Sequence, residues 1–408
     1  MWGKMRTIKN LINLAFLALG HLFPRSRSKI VFGAWHGNSY ADNPKYLFEF
    51  FFKHPGFRVV WIGNKSVAKT LPPFPPNASF AVRHSPLGLW HALTAKTWVF
   101  SHSPNDIALV AIWGNSLQID TCHGVALKQV GEMCPDWKKP HTGILDRWLR
   151  NPSYLAMPSE WQSRNTLAGF PRLFKSPTLP FGSTTLDFIL ANKDKAALIA
   201  SLRQKFATAF GLPSDRKWIV YAPTFRHLSE KNYSFRDASA DERKKLDAVL
   251  DTIGAVIVEK LHPNRITGLN PESDGHVFSI AGPAAKAIEP HELWLAADAI
   301  VSDYSSCVVP FFLQGKPVFH FVYDYDYYTK EDTGLVADLD DIRFGVVAKT
   351  FDELCDELSR FDEARNQSGK RARDLIEYED GHSCEKYLDF IRTRHRIAVG
   401  PESTEPPF

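Results

Sequence analysis

The chain has 408 residues, which at about 150 residues per domain suggests two or three domains, and with 44% hydrophobic residues it can bury a sizeable core. Forty-nine Lys and Arg against 45 Asp and Glu leave a net charge of +4, which excludes a surface built mainly to coat nucleic acid. The five cysteines are scattered and show no CxxC spacing, which excludes a disulfide framework and a thiolate zinc site and fits a reducing cytoplasm.

The first predicted element is a basic amphipathic helix within residues 1–29. Ile8, Leu11, Ile12, Ala15, Phe16 and Leu19 recur at helical spacing, with Lys4, Arg6, Lys9, Arg25, Arg27 and Lys29 around them. Its uninterrupted apolar stretch, Leu14 to Leu19, is far shorter than the roughly 20 residues that cross a bilayer, so the helix is expected to lie in the headgroup interface. Packing on its own domain and a cleaved signal are the competing readings, and the reduced thiols weigh against the signal. Short apolar runs then alternate with longer helical stretches. Ile30–Phe32, Val59–Ile62, Thr97–Phe100, Leu117–Ile119 and Leu155–Met157 read as strands in the first half. Trp218–Tyr221, Ala255–Val258, Ala299–Val301 and Pro317–Val322 do so in the second. Strands apolar on both faces and alternating with helices predict parallel sheets covered on both sides. The sequence is therefore expected to form two open α/β domains, residues 30–192 and 193–370, facing a cleft. A helix over 371–400 and a disordered, proline-rich tail over 401–408 would follow.

Ligands of such sheets bind beyond the carboxyl ends of the strands, so the residues directly after each strand are the place to look for chemistry. Four segments stand there: Thr121-Cys-His-Gly-Val-Ala-Leu-Lys128, Ala222-Pro-Thr-Phe-Arg226, Lys260-Leu-His-Pro263 and Ser302-Asp-Tyr-Ser-Ser306. They supply His, Arg, Lys and hydroxyl groups, the inventory for holding and attacking a phosphate. Arg226 offers a planar fork for phosphate, or an ordinary surface contact. Ser305 and Ser306 stand where a helix would begin, and an ordinary N-cap accounts for only one of them. His123 and His262, in different domains, would give a general base and a second proton donor; singly, each is as easily a structural histidine among the fifteen present. The chain has no GxxxxGK[ST], no GxGxxG after the first strand, no HExxH and no GxSxG. Asp324-Tyr-Asp326 could hold a divalent cation on a nucleotide diphosphate, or bond nearby backbone amides.

Taken in order, these segments resemble the CDP-glycerol glycerophosphotransferase family of teichoic acid and capsule synthesis. The resemblance runs from Trp35-His-Gly-Asn-Ser-Tyr-Ala-Asp-Asn-Pro-Lys45 through Thr121–Gly131, YAPTFR at 221–226, KLHP at 260–263 and SDYSS at 302–306 to Glu379-Asp-Gly-His-Ser383. It implies a GT-B-like fold with the nucleotide on the C-terminal domain and a C-terminal helix crossing back. The implied reaction moves glycerol phosphate from CDP-glycerol to a lipid-linked or glycan acceptor hydroxyl and releases CMP, with no cofactor or metal required. The resemblance further implies a cytoplasmic enzyme held at the inner membrane face by its N-terminal helix. Carried over by position, it makes His123 and His262 catalytic. Thr224, Arg226, Lys260, Asp303, Ser305 and Ser306 would bind the donor, and His36, Asn43 and Lys128 the acceptor. The chain departs from the pattern at Cys122, Val125 and Ala126, and at Pro310, where the family has Asp. A CDP-ribitol transferase, a nucleotide-sugar glycosyltransferase and a non-catalytic member of a membrane assembly are the alternative expectations.

Overall fold

The computed structural model describes residues 2–69, 71–109, 111–134, 152–170, 176–224, 226, 233–260, 275–280, 285, 288–365 and 367–397, with side chains from residue 11 onward. By internal contacts the chain divides into two compact units. The first comprises Met1–Gly124, Lys139–Phe188 and Glu377–Phe408, and the second Val125–Lys138 and Ile189–Ile376. This division differs from a single break near residue 192. Residues 125–138 group with the second unit, and the chain leaves the first unit inside the helix Thr184–Asn192 and re-enters it at Glu377.

The first unit is built on a seven-stranded sheet of β1 (Ser26–Gly33), β2 (Arg58–Gly63), β3 (Ala78–Val82), β4 (Ala95–Phe100), β5 (Leu117–Asp120), β6 (Tyr154–Ala156) and β7 (Thr178–Leu179). Their order is β3-β2-β1-β4-β5-β6-β7 and every pairing is parallel. The second unit carries β8 (Lys217–Tyr221), β9 (Ala255–Glu259), β10 (Val277–Ser279), β11 (Ala299–Ser302), β12 (Val318–Phe321) and β13 (Val346–Ala348), in the order β10-β9-β8-β11-β12-β13, again all parallel. The fold is thus α/β with two parallel-sheet domains.

Such sheets form because their central strands are apolar on both faces: Ile30, Val31 and Phe32 of β1 and Trp218, Ile219 and Val220 of β8 are wholly buried. Each fully buried large apolar side chain contributes about 1.5–3 kcal/mol. Local signals set the helix ends. Ser239 with Glu242, and Thr350 with Glu353, form capping boxes, while Gly211 and Gly254 end their helices in the left-handed region. The helix Ser383–His395 returns to the first unit and places Cys384, Tyr387, Leu388 and Ile391 in the core with Phe32, Phe181 and Ile119. The helix Trp2–Leu22 packs through Leu17 and through Asn13, whose Oδ1 accepts the Ala111 N–H at 3.3 Å.

In both sheets the order reverses where the first strand meets the fourth, β1 beside β4 and β8 beside β11. Ligands of open parallel sheets bind beyond the carboxyl ends of the strands at such a reversal, so the loops after these four strands are where a ligand site is expected.

Candidate active site

In the first unit the switch point is closed by one carboxylate. Asp106, completely buried, accepts N–H bonds from His36 at 2.7 Å, Ser101 at 3.0 Å and His102 at 2.9 Å, tying the end of β1 to the end of β4. Burial pushes its carboxyl up, and those three donors hold it back. Trp35 and His36 both sit at positive φ, 50° and 55°. Left-handed conformations at bulky residues cost about 1–3 kcal/mol and persist only where the surroundings over-determine them. Asp42, at φ 68°, and Cys122, at φ 52°, share this strain in the neighbouring loops.

His123 follows β5 and is half-exposed, its side chain 45% accessible. Its Nδ1 lies 3.3 Å from Asp42 Oδ2, its ring centroid is 3.6 Å from that of His102, and Trp35 stacks on it at 5.8 Å. Burial pulls the pKa of His123 down, but the hydrogen bond to Asp42 and the charges of Asp42, Asp120 and Asp106 outweigh it, so the net shift is upward. His102 moves the other way, to about 3, through burial and the neighbouring His123 and His36. The two adjacent rings therefore differ: His123 holds a proton more readily than an ordinary imidazole, and His102 stays neutral. Asp120, wholly buried under the loop, is pushed up to about 7, chiefly by desolvation.

In the second unit the loops after β8 and β11 are held by an ion cluster. Asp303 Oδ1 accepts the N–H groups of Thr224 at 2.8 Å and Tyr304 at 2.6 Å, while its Oδ2 lies 2.8 Å from Arg226 Nη2. Arg226 also donates from Nε and Nη2 to Asp324 at 2.7 and 2.9 Å, and from Nη1 to the Thr224 carbonyl at 2.7 Å. The carboxyl groups of Asp303 and Asp324 hold its guanidinium protonated against the desolvation of burial. The rings of Tyr304, Tyr323 and Tyr328 enclose it at 5.3, 5.7 and 4.8 Å. His320 braces the same loop, its Nδ1 2.7 Å from the Asp303 carbonyl oxygen and its Nε2 accepting the Phe344 N–H at 3.1 Å.

This geometry corrects two sequence expectations. Arg226 is 1% exposed and its donors are taken by Asp324, Asp303 and a carbonyl, so it organises the loop and does not present a fork to phosphate. Asn43 is likewise 1% exposed: its Nδ2 donates to the carbonyls of Thr121 at 3.1 Å and Cys122 at 3.3 Å, and its Oδ1 accepts from Thr185 N at 3.1 Å. It holds the His123 loop and has no amide left for an acceptor. Asp324, spent on Arg226, is unsuited to a DxD metal site, and Asp326 pairs on the surface with Lys330. Among the described residues no group of three or more His, Cys, Asp and Glu could hold a metal ion.

The other expected residues fall as follows. His36 is at the first switch point. Thr224, Lys260, Asp303, Ser305 and Ser306 follow strands of the second sheet. Thr224 Oγ1 is buried and has no partner among the described residues. Lys128 groups with the second unit, where its backbone bridges Leu335, flanked by the Val336 N–H to Leu127 carbonyl bond at 3.0 Å. Lys128 and Lys260 both have ammonium groups lowered, chiefly by desolvation. His262 lies outside the described residues. Sequence reading missed Asp42, His102 and Asp106. His102 and Asp106 follow β4 directly, and the rule of looking beyond strand ends would have reached them.

Residues 15–393 match the CDP-glycerol:poly(glycerophosphate) glycerophosphotransferase family. The chain is similar to the teichoic acid glycerol-phosphate transferase of Staphylococcus aureus, at 25% identity over 88% of this chain and 91% of that one. It is 21% identical to the teichoic acid ribitol-phosphate primase of Bacillus spizizenii over 95% of this chain and 96% of that one. Its fold is that of the wall teichoic acid polymerase TagF, a GT-B-like structure, with a TM-score of 0.72 at 22% identity over 96% of this chain and 97% of that one. The chain thus belongs to the CDP-glycerol:poly(glycerophosphate) glycerophosphotransferase family, whose members transfer polyol phosphate in cell-wall polymer synthesis.

Proposed function

We propose that this protein transfers glycerol phosphate from CDP-glycerol to an acceptor hydroxyl, with His123 as general base. The observation that carries the reading is the Asp42–His123 pair. With Nδ1 engaged by Asp42, Nε2 keeps the lone pair and is the nitrogen that can accept a proton. The acceptor oxygen attacks the glycerol-bearing phosphorus as its proton passes to His123 Nε2. The bond from that phosphorus to the bridging oxygen breaks, and CMP leaves with that oxygen. Lys128, expected on the acceptor side but grouped with the second unit and within reach of the charges of Asp303 and Arg226, joins Lys260, Thr224, Ser305 and Ser306 in supplying cationic and hydroxyl groups for the diphosphate, and His262 would serve as a second histidine. Asp303 and Arg226 keep that loop in shape. Charge neutralisation by these groups requires no metal or other cofactor. His36 and the half-exposed Trp35 are the acceptor-side candidates.

The acceptor in this reading is lipid-linked or a surface glycan, and the protein works on the cytoplasmic face of the membrane. Leu11, Ile12, Phe16, Leu19 and Leu22 of the N-terminal helix are exposed, as are Leu87 and Trp90, and Phe23 meets Trp90 edge-on at 6.4 Å. These side chains suit an interfacial helix. No helix among the described residues is long and apolar enough to cross a membrane. The ribitol-phosphate relative supports CDP-ribitol as the second donor to try.

The test is CMP release from CDP-glycerol, CDP-ribitol and a panel of nucleotide sugars over membrane and glycan acceptors, with and without EDTA. Turnover of CDP-glycerol that survives EDTA is expected. Turnover of a nucleotide sugar alone, or loss of all activity with EDTA, would overturn the reading.

A further inference from the structure

Unit one contains a buried polar chain that the reaction scheme leaves unused, and it runs from the C-terminal segment to the base. Ser183 N–H donates to Glu379 Oε2 at 2.9 Å, and Ser183 Oγ lies 2.8 Å from Oε1. The next residue, Thr184, donates from Oγ1 to the Asn43 carbonyl at 2.7 Å, and Thr185 donates from N and Oγ1 to Asn43 Oδ1 at 3.1 and 3.2 Å. Asn43 then grips the carbonyls of Thr121 and Cys122, and its N–H donates to Asp42 Oδ1 at 2.8 Å. Glu379, Ser183, Thr184, Thr185 and Asn43 are all buried, none more than 8% exposed. Little slack exists at the far end. Gly182 sits at φ +76°, and a Cβ there would lie 2.7 Å from the Tyr378 carbonyl oxygen, 2.8 Å from Ser383 Oγ and 3.0 Å from Glu379 Oε2.

We infer that Glu379 is a positioning residue for His123, acting through Ser183, the Thr184–Thr185 pair and Asn43 to hold the loop that carries the base. The inference rests on the reading of His123 as that base. Two observations favour positioning over simple adhesion. The returning helix already docks through Tyr387, Leu388 and Ile391, so the polar chain is not needed to attach it. And the chain ends on the two strained residues flanking the base, Asp42 and Cys122, whose left-handed backbones need outside support. A fully satisfied buried network fixes geometry in this way.

Burial pushes the Glu379 carboxyl up to about 8, helped by the charge of Asp187 and opposed by the Ser183 donors and Lys386. At neutral pH it is a neutral acid, with one O–H to give and one carbonyl oxygen to accept, the pair a glutamine amide also offers. Glu379→Ala and Thr184→Val in the full chain should each lower kcat for CMP release from CDP-glycerol by roughly tenfold while the donor KM stays within about twofold. Both should move the acid limb of kcat/KM, and the His123 pKa followed by NMR titration, downward as the contact with Asp42 loosens. Glu379→Gln should restore all of these. Folded Glu379→Ala and Thr184→Val proteins with the wild-type kcat and His123 pKa would overturn the inference, provided His123→Ala is inactive. A fully active His123→Ala would instead remove the base reading itself. If Glu379→Ala fails to fold, the volume-conserving Thr184→Val decides by the same readouts.

Discussion

If His123 is the base, as proposed, the Asp42–His123 pair gives the reaction a pH dependence of definite sign. A general base works only when neutral, so activity rises with pH through the His123 pKa, which its acidic neighbours raise above the ordinary 6.5. Asp42→Asn removes one of those charges and leaves burial to act against the imidazolium. The acid limb of kcat/KM should then move to lower pH, while the plateau falls by roughly tenfold because Nδ1 is less firmly oriented. His123→Ala should lower the plateau by roughly 10²-fold or more at every pH. Stopped-flow or coupled measurement of CMP release between pH 5.5 and pH 8.5 separates the two, and an unmoved limb in Asp42→Asn would dismiss Asp42 from the proton-transfer step.

At the scale of the element, the loops after β8 and β11 are one object joined by Arg226, Asp303 and Asp324. Arg226 is the cation shared by two carboxylates, so removing it leaves Asp303 and Asp324 uncompensated, at a cost of about 3–5 kcal/mol. Arg226→Met should therefore lower Tm strongly and Asp324→Asn less, because Asp303 still pairs the guanidinium, and the double variant should be less destabilised than the sum of the two, as in a coupled pair. Strictly additive losses would show that the three side chains act separately. Sequence reading reached Arg226 and Asp303 because both follow strands, yet it assigned Arg226 to phosphate. Nothing local marks a guanidinium as already taken by a carboxylate 98 residues away. Asn43 was misread for the same reason, since its partners Thr184 and Thr185 lie about 140 residues along the chain. The long apolar strands were legible as runs. Among the two- and three-residue strands, β6 was read from the run Leu155–Met157 but β7, β10 and β13 were not, because so few residues show no period, and in β3 the sequence Ala-Ser-Phe-Ala-Val is half exposed and only weakly apolar. The return of the C-terminal helix to the first unit came from resemblance, not from pattern.

For the whole molecule, buried titrating groups are distributed unequally between the two units, and this sets how each unfolds with pH. His91, His102 and His395 in the first unit are depressed to about 4, 3 and 4, and His320 in the second to about 4, all mainly by burial. A histidine with a depressed folded pKa is neutral when folded but takes a proton when unfolded below about 6.5. Each therefore withdraws about 1.4 kcal/mol of stability per pH unit as pH falls from there towards its folded value. Asp120 and Glu379, raised to about 7 and 8 by desolvation, do the reverse. They keep their protons when folded and lose them when unfolded, so stability declines as pH rises from about 4 through those values. Both carboxyls belong to the first unit. Above pH 6.5 the depressed histidines no longer act, while Asp120, Glu379 and His123, whose pKa is raised, all lower first-unit stability as pH rises towards 8. In the second unit Glu259, raised by burial, opposes the rise that His320 gives, and Lys316, lowered to about 8 by burial, adds stability as pH rises beyond that value. Calorimetry of the full chain should show a first-unit Tm that falls between pH 6.5 and pH 8, with Glu379→Gln flattening that fall. A first-unit Tm that climbs steadily to pH 8 would mean that Asp120 and Glu379 are ionised in the folded protein, and that the chain leading to His123 carries a buried charge in place of a neutral acid.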